Sequence, residues 1–311
     1  MRSALPALQH GIAIVTAMLV VALATTAAVA MTLRQQLDIR RTANLLQAEQ
    51  AAVYLQAVED WSAWVLLRDS RNGNVDSLGD QWATLLPPVP IENGQLAGRI
   101  IDLQSRFNLN NLVQGNDVSA ADVAVFRRLL AHLQLDPELV SAVIDWMDAD
   151  INYSLPAGAE DEAYLVNEPP YRAANRPMAS VSELRLVAGV DAEVYRTLRP
   201  YVTVLPQPSR ININTAPAEV VMAIAEGLEP SEVARFIDDR GTKGYTSVAE
   251  ALRHSAFAGR QIDERLLSVN SQWFMVMAEL EVGRIYRKGY SVLLRGSSGS
   301  TNTVMRTYSL D

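Results

Sequence analysis

From Ile12 to Leu33 the chain has no Asp, Glu, Lys, Arg or His, and from Ile12 to Asn72 it has neither glycine nor proline. As a helix rising about 1.5 Å per residue, the uncharged run is roughly 33 Å long, enough to cross a hydrocarbon core of about 30 Å. Nothing between Arg34 and Asn72 breaks a helix either, so one rod is expected to leave the bilayer and continue far beyond it. Whatever follows Arg34 is then exported and built around that rod.

The N-terminus admits three readings. A secretory signal peptide would be cut after Ala28-Val29-Ala30, which has the required small-x-small form. An uncleaved anchor is the second; Arg2 before the span and Arg34, Arg40 and Arg41 after it do not fix its orientation. The third is a short polar leader, residues 1–11, ending in Gly11, with the apolar helix retained. The leader is weakly charged for a signal peptide and the helical pattern runs on past Ala30, which favours the third.

With 311 residues the chain has room for about two domains. Its net charge of −8 disfavours a general nucleic-acid surface, which needs clustered cations. The absence of cysteine excludes disulfides, thiolate metal sites and a cysteine nucleophile.

Leu37, Leu45, Ala48, Ala52 and Leu55 place an apolar stripe on the continuing helix, expected to reach about Arg68 with Trp61 and Trp64 packed on a sheet. Arg71-Asn72-Gly73-Asn74 reads as a turn and Pro87-Pro88-Val89-Pro90 as an extended connector. Gln95 to Asn111 reads as a strand and its continuation. Its partners come far later, at Trp273 to Val282, Arg284 to Arg295 and Thr303 to Leu310, a meander joined by glycine-containing turns. Helical patterns fill the interval, at 120–133, 137–147, 182–187, 192–198, 216–226, 231–239 and 248–254. The expected class is α+β: a long N-terminal helix packed on an antiparallel sheet, with a large all-α insertion.

Asp145, Asp148 and Asp150 close one of these helices, and Asn152, Glu160 and Asp161 follow. Oxygen donors at this density suit Ca²⁺, which takes about six to eight of them. Asp148-x-Asp150-x-Asn152 copies the first half of an EF-hand loop, but Tyr153 stands where its glycine belongs and Ala159 where its last acid belongs. On spacing alone a metal site and a group of solvated loop acids both stand; in the first case Asn175 and loop carbonyls could complete the shell.

Ile211-Asn212-Ile213-Asn214-Thr215-Ala216, followed by Glu226-Gly227-Leu228-Glu229-Pro230, has the form of a helix-hairpin-helix, with a second copy around Ala188-Gly189-Val190. Such hairpins hold nucleic-acid phosphates on backbone N–H groups with help from Lys or Arg. Here Glu226, Glu229, Glu232, Asp238 and Asp239 surround one base, Arg235. The hairpins read as scaffold, and a membrane-anchored DNA-binding or DNA-uptake protein is the alternative. The histidines are His10, His132 and His254, and no phosphate loop, nucleophile elbow or metal-binding His-Glu helix is present, so no catalytic residues are assigned and no enzyme is expected.

Gln9-His10-Gly11 followed by Ile12-Ala13-Ile14-Val15-Thr16 resembles a prepilin-peptidase site. The resemblance implies cleavage between Gly11 and Ile12 and N-methylation of Ile12. Where most pilin-type chains carry Glu at the fifth mature position, this one has Thr16. Over essentially its whole length the chain resembles the K-type minor pseudopilin family of bacterial type II secretion, in which that Glu is missing. Four segments carry the match: the leader and anchor running into Arg34–Thr42; Asp145–Asp150 with Pro156–Asp161; Pro170–Asn175 leading into Ser182–Arg185; and Ile211–Ala216.

The resemblance implies a pilin-like fold. Its parts would be a leader at 1–11, a transmembrane and pilus-core helix at 12–33, the first part of the pilin-like domain at 34–116, an inserted helical domain with hairpin units at 117–267, and final strands at 268–311. It implies calcium held by Asp145, Asp148, Asp150, Asn152, Glu160, Asp161 and Asn175. It implies a single-pass inner-membrane protein, cut by prepilin peptidase, with its C-terminal domain in the periplasm. Its partners would be the I- and J-type minor pseudopilins at the tip of a pseudopilus whose assembly it initiates, with the secretin or cargo as further contacts and no nucleic acid.

Overall fold

The computed structural model describes residues 9–283 and 285–308. Helix α1 runs unbroken from Gln9 to Asn72, as the lack of helix breakers requires. All side chains from Ile12 to Leu46 are exposed. Burial begins later, with Ala51, Leu55, Val58, Ser62, Val65 and Leu66, spaced three and four apart so that they share one face. The stripe expected at Leu37 and Leu45 is therefore not packed, both residues being more than half exposed. Trp61 reaches the core, whereas Trp64 lies about 100° round the helix from Val65 and faces solvent. The Arg68 guanidinium lies 5.5 Å from the Trp64 ring centre.

The sheet has five strands: β1 Leu86–Ile91, β2 Gly94–Asp102, β3 Trp273–Val282, β4 Ile285–Arg295 and β5 Thr301–Thr307. They lie side by side in chain order, all antiparallel. The connector Pro87-Pro88-Val89-Pro90 is in fact edge strand β1. Proline cannot donate to a ladder, and an edge strand with one open side tolerates it while resisting pairing with another chain.

Alternation along β3 serves two layers. Phe274, Val276, Ala278, Leu280 and Val282 face α1, while Trp273, Met275 and Met277 face away, under Leu103 and Leu205. A Cβ at Gly289 would lie 3.2 Å from a Leu55 methyl, so the glycine in β4 sets how closely α1 seats. Buried Glu59 of α1 accepts hydrogen bonds from Ser291 Oγ at 2.6 Å, Thr303 Oγ1 at 2.5 Å and Arg306 Nε at 2.8 Å. Burial pushes its pKa up, but these bonds and the Arg306 charge outweigh it and hold Glu59 at about 2.

Between Asp102 and Trp273 the chain leaves the sheet and builds a second core. Helices α2 Ala120–His132, α3 Leu139–Met147, α4 Asp161–Leu165, α5 Ala192–Leu198, α6 Ala218–Ile224, α7 Pro230–Arg240 and α8 Val248–Ala251 surround it. Residues 182–187, read as helical, fall in a 3₁₀ turn, Val181–Leu186. Phe107, Leu109 and Leu112 belong to this core, ahead of the boundary expected at 116. The insertion is not purely helical: Phe107–Asn108 pairs with Val202–Thr203, Ile211–Asn212 with Leu267–Ser268, and Val113–Gln114 with Asp117–Val118.

A buried polar knot joins the two cores. Asp102 Oδ2 accepts from Thr215 Oγ1 at 2.6 Å, Ser271 Oγ at 2.6 Å and Asn212 Nδ2 at 3.1 Å. Asn214 closes a second clasp, donating to Tyr245 O at 2.9 Å and accepting from Tyr245 N at 2.8 Å. The Ile211–Ala216 segment thus fastens the insertion to the sheet as well as leading into a hairpin.

Candidate metal centre and hairpin

The acidic loop hangs between the end of α3 and the start of α4. Beneath it lie Trp146, Tyr164 and Tyr171; ring centres are 5.2 Å apart for Trp146 and Tyr164 and 5.4 Å for Tyr164 and Tyr171. This wall fixes the direction in which α3 delivers its last acids. Asp145 is fully buried and accepts from Ser154 N on both oxygens, at 3.0 and 3.1 Å. The bend this requires brings Gly158 against Asp145, where an added Cβ would sit 2.2 Å from Oδ2. Gly158 gives no sign of that role in the sequence beyond its place in an acidic loop.

Asp148, Asp150 and Glu160 each present a carboxylate oxygen within 4.8 Å of the others. Asp148 Oδ1 and both oxygens of Glu160 are buried with no donor. Burial, followed by the charges of Asp150 and Asp145, pushes Asp148 up to about 6. Burial, then Asp145, Asp148, Asp150 and Asp161, pushes Glu160 up to about 7. Three buried carboxylate oxygens without donors, beside a third, exposed acid, suit a hard cation.

The other expected ligands are placed differently. Asn152 donates to Asp150 Oδ1 through its backbone N at 2.7 Å and its Nδ2 at 2.8 Å, which leaves its amide oxygen available. Asp161 turns away from the triad, accepting from Ala173 N at 3.1 Å and pairing with Arg172 at 3.4 Å. Asn175, exposed and at φ +46°, is tied to the end of α3 through its backbone N, which donates to Trp146 O at 3.0 Å. Spacing could not separate Asp161 from its neighbour Glu160, because the turn into α4 sends adjacent side chains in different directions.

The hairpin is real: α6 and α7 flank a turn in which Gly227 takes φ +69°. At the start of α7, where a phosphate would bind, the Glu232 carboxylate accepts from Glu229 N at 3.0 Å. Arg260 serves the turn internally, reaching Gly227 O at 2.6 Å and Glu232 at 2.8 Å, and Arg128 Nε holds Ala223 O at 2.7 Å.

At the other end of the molecule, α1 is long and apolar enough to cross a membrane. Gly11 and Ile12 both lie within it. The Thr16 hydroxyl donates back to Ile12 O at 2.9 Å and Ala13 O at 3.0 Å. Thr25, Thr26 and Thr32 likewise satisfy their hydroxyls on carbonyls one turn back.

Residues 105–207 and 211–270 match the two parts of the family described as Type II secretion system (T2SS), protein K. A Type II secretion system protein K of Pseudomonas aeruginosa is 38% identical over 96% of this chain and 92% of the relative. The chain belongs to the type II secretion system protein K family. A Pectobacterium carotovorum protein of the same name is 34% identical, covering 88% of this chain and 89% of the relative. A solved chain from the GspK-GspI-GspJ complex of enterotoxigenic Escherichia coli superposes with a TM-score of 0.77 at 28% identity, over 86% of this chain and 99% of that one. The pilin-like architecture with its helical insertion is thus that of protein K, and the acidic loop falls within the first matched part.

Proposed function

We propose that this member of the protein K family is a minor pseudopilin that initiates a pseudopilus and stays at its tip. The observation that carries the reading is the uncommitted length of α1, exposed and apolar from Ile12 to Leu33 and exposed as far as Leu46. Such a helix is covered by a bilayer before assembly and by neighbouring helices after it. In pilin-type chains a Glu at the fifth mature position answers the charged amino terminus of a neighbour in apolar surroundings. Thr16 carries no charge and spends its hydroxyl on its own helix, so this subunit gains nothing from a predecessor and suits first place. The bulky insertion would obstruct stacking anywhere but the end.

The partners, by analogy with the GspK-GspI-GspJ complex, are the I- and J-type proteins. Prepilin peptidase would cut between Gly11 and Ile12, leaving a single-pass inner-membrane chain whose head lies in the periplasm. Within that head Asp148, Asp150 and Glu160 would hold calcium, with Asp145 shaping the loop and the Asn152 amide oxygen in support. Calcium would supply the positive charge the loop lacks and so make the insertion rigid.

The full chain, co-expressed with the I- and J-type proteins and purified in detergent, should elute as an equimolar ternary complex. Absence of that complex, with salt-sensitive binding of duplex DNA at low ionic strength, would overturn the reading in favour of a nucleic-acid protein.

A further inference from the structure

The geometry points to a second divalent-cation site, formed by Asp69, Asp76 and Asp80 where α1 meets the loop that precedes the sheet. It lies in the pilin-like body and shares no residue with the acidic loop. One oxygen from each of the three acids lies within 4.8 Å of the others. Oxygens bound at ~2.4 Å to a common Ca²⁺ are at most about 4.8 Å apart, so the spacing fits a shared ion.

Among the described residues, donors reach only one oxygen of each carboxylate. Arg295 Nη1 donates to Asp69 Oδ2 at 3.2 Å, and its Nη2 donates to Asp76 Oδ2, which also accepts from Ser271 N at 2.7 Å. Asp80 Oδ2 accepts from Ser77 N at 2.6 Å. Half-buried Asp69 and Asp80 can turn their second oxygens to water. Asp76 cannot: it is 1% exposed, and its Oδ1 is buried with no donor. An oxygen stranded in this way calls for a cation or a donor. Among the described residues Arg295 is the one base paired with these acids, which leaves two negative charges uncompensated. Burial, then repulsion from Asp80 and Asp76, pushes Asp69 up to about 6.

The site also has a mechanical position. Asp69 belongs to the last turn of α1. Asp76 N donates to Val269 O at 2.9 Å, Asp76 O accepts from Asn212 Nδ2 at 3.2 Å, and Gly79 N donates to Thr242 O at 2.6 Å. An ion held by Asp69, Asp76 and Asp80 therefore clamps the rod to the loop that grips the insertion.

The test is the amount of Ca²⁺ retained by the full chain in detergent, measured by equilibrium dialysis with radioactive calcium. Asp80→Asn and Asp69→Asn should each bind one ion fewer than wild type. Glu160→Gln should keep this ion whatever it does to the acidic loop, which separates the two sites. Asn at position 80 still offers an oxygen to the Ser77 donors and removes a charge that repels Asp69 and Asp76, so Asp80→Asn should match wild type in circular dichroism, melt no lower than wild type in chelator, and gain less from added Ca²⁺. Equal binding by wild type, Asp80→Asn and Asp69→Asn would overturn the assignment. Loss of all Ca²⁺ in a folded Glu160→Gln chain would overturn it as well.

Discussion

Replacing Glu160 by Gln should stabilise the chain without calcium and destabilise it with calcium. Glu160 is 4% exposed, and neither of its oxygens meets a donor. Burial and the surrounding acids raise its pKa from 4.5 to about 7. A carboxyl raised in the folded state destabilises that state when ionised. The penalty is fully present above about 7 and is relieved as pH falls through 7 towards 4.5. At about 1.36 kcal/mol per pH unit, the gap corresponds to about 3 kcal/mol. Gln keeps the shape, removes the charge and points two N–H donors at the neighbouring carboxylates. In chelator at about pH 8, Glu160→Gln should melt roughly 5–10 °C above wild type, at ~2–4 °C per kcal/mol for a unit of this size. With calcium at about a thousandfold excess over Kd, wild type gains about 4.1 kcal/mol, more than the roughly 3 kcal/mol it lacked, and the variant, having lost a charged ligand, gains much less, so the order inverts. Near pH 5 in chelator the two should nearly coincide. Thermal melts of the full chain in detergent, followed by circular dichroism, read all of this directly. A variant that melts below wild type in chelator at about pH 8 would refute the idea that uncompensated charge governs the loop.

Other outcomes follow from single contacts. Gly158→Ala should lower the melting temperature in calcium by several degrees, because its Cβ would collide with Asp145 Oδ2 and the loss of that bend costs about 1–3 kcal/mol; a melt unchanged within a degree would contradict it. The mature chain should begin at Ile12, and a bulky residue at Gly11 should leave the precursor uncut; N-terminal sequencing that finds Met31 instead would identify an ordinary signal peptide. Glu59→Ala should destabilise by about 2–3 kcal/mol in denaturant titration, since it strands Ser291, Thr303 and Arg306 at the seam between α1 and the sheet. The Glu59 contribution should persist at neutral pH and fade as pH falls through about 2.

Local rules carried a good part of this fold. An uninterrupted run without glycine or proline suffices for α1, and an apolar run passing into alternating Glu279-Leu280-Glu281-Val282 marks β3 to the residue, Trp273–Val282. Strand β1 was hidden because three prolines argue against a strand, and only its place at the sheet edge permits them. The packed face of α1 was hidden too, since Leu37 and Leu45 have the right spacing but stand beyond the reach of the sheet. In the acidic loop, residue type and density named Asp148, Asp150 and Glu160, yet nothing local shows that Asp161 is drawn off by Arg172 and Ala173. The knot around Asp102 is invisible for a different reason. Its members, Asn212, Thr215 and Ser271, come together only when distant segments dock.

Asp102 and Phe274 are paired neighbours on β2 and β3, although the whole insertion separates them along the chain. In connectivity the insertion is the loop of a β-hairpin. Closing a flexible loop of about 170 residues costs roughly 4–5 kcal/mol in chain entropy, more than a pair of central strands readily repays early in folding. A folded insertion removes most of that cost, because its two ends already meet: Gln104 Oε1 accepts from Gln272 N at 2.6 Å. Loop-closure entropy therefore favours an order of insertion first, central strands second and seating of α1 last. A defect in the acidic loop, which belongs to no strand, should on this order slow formation of the sheet.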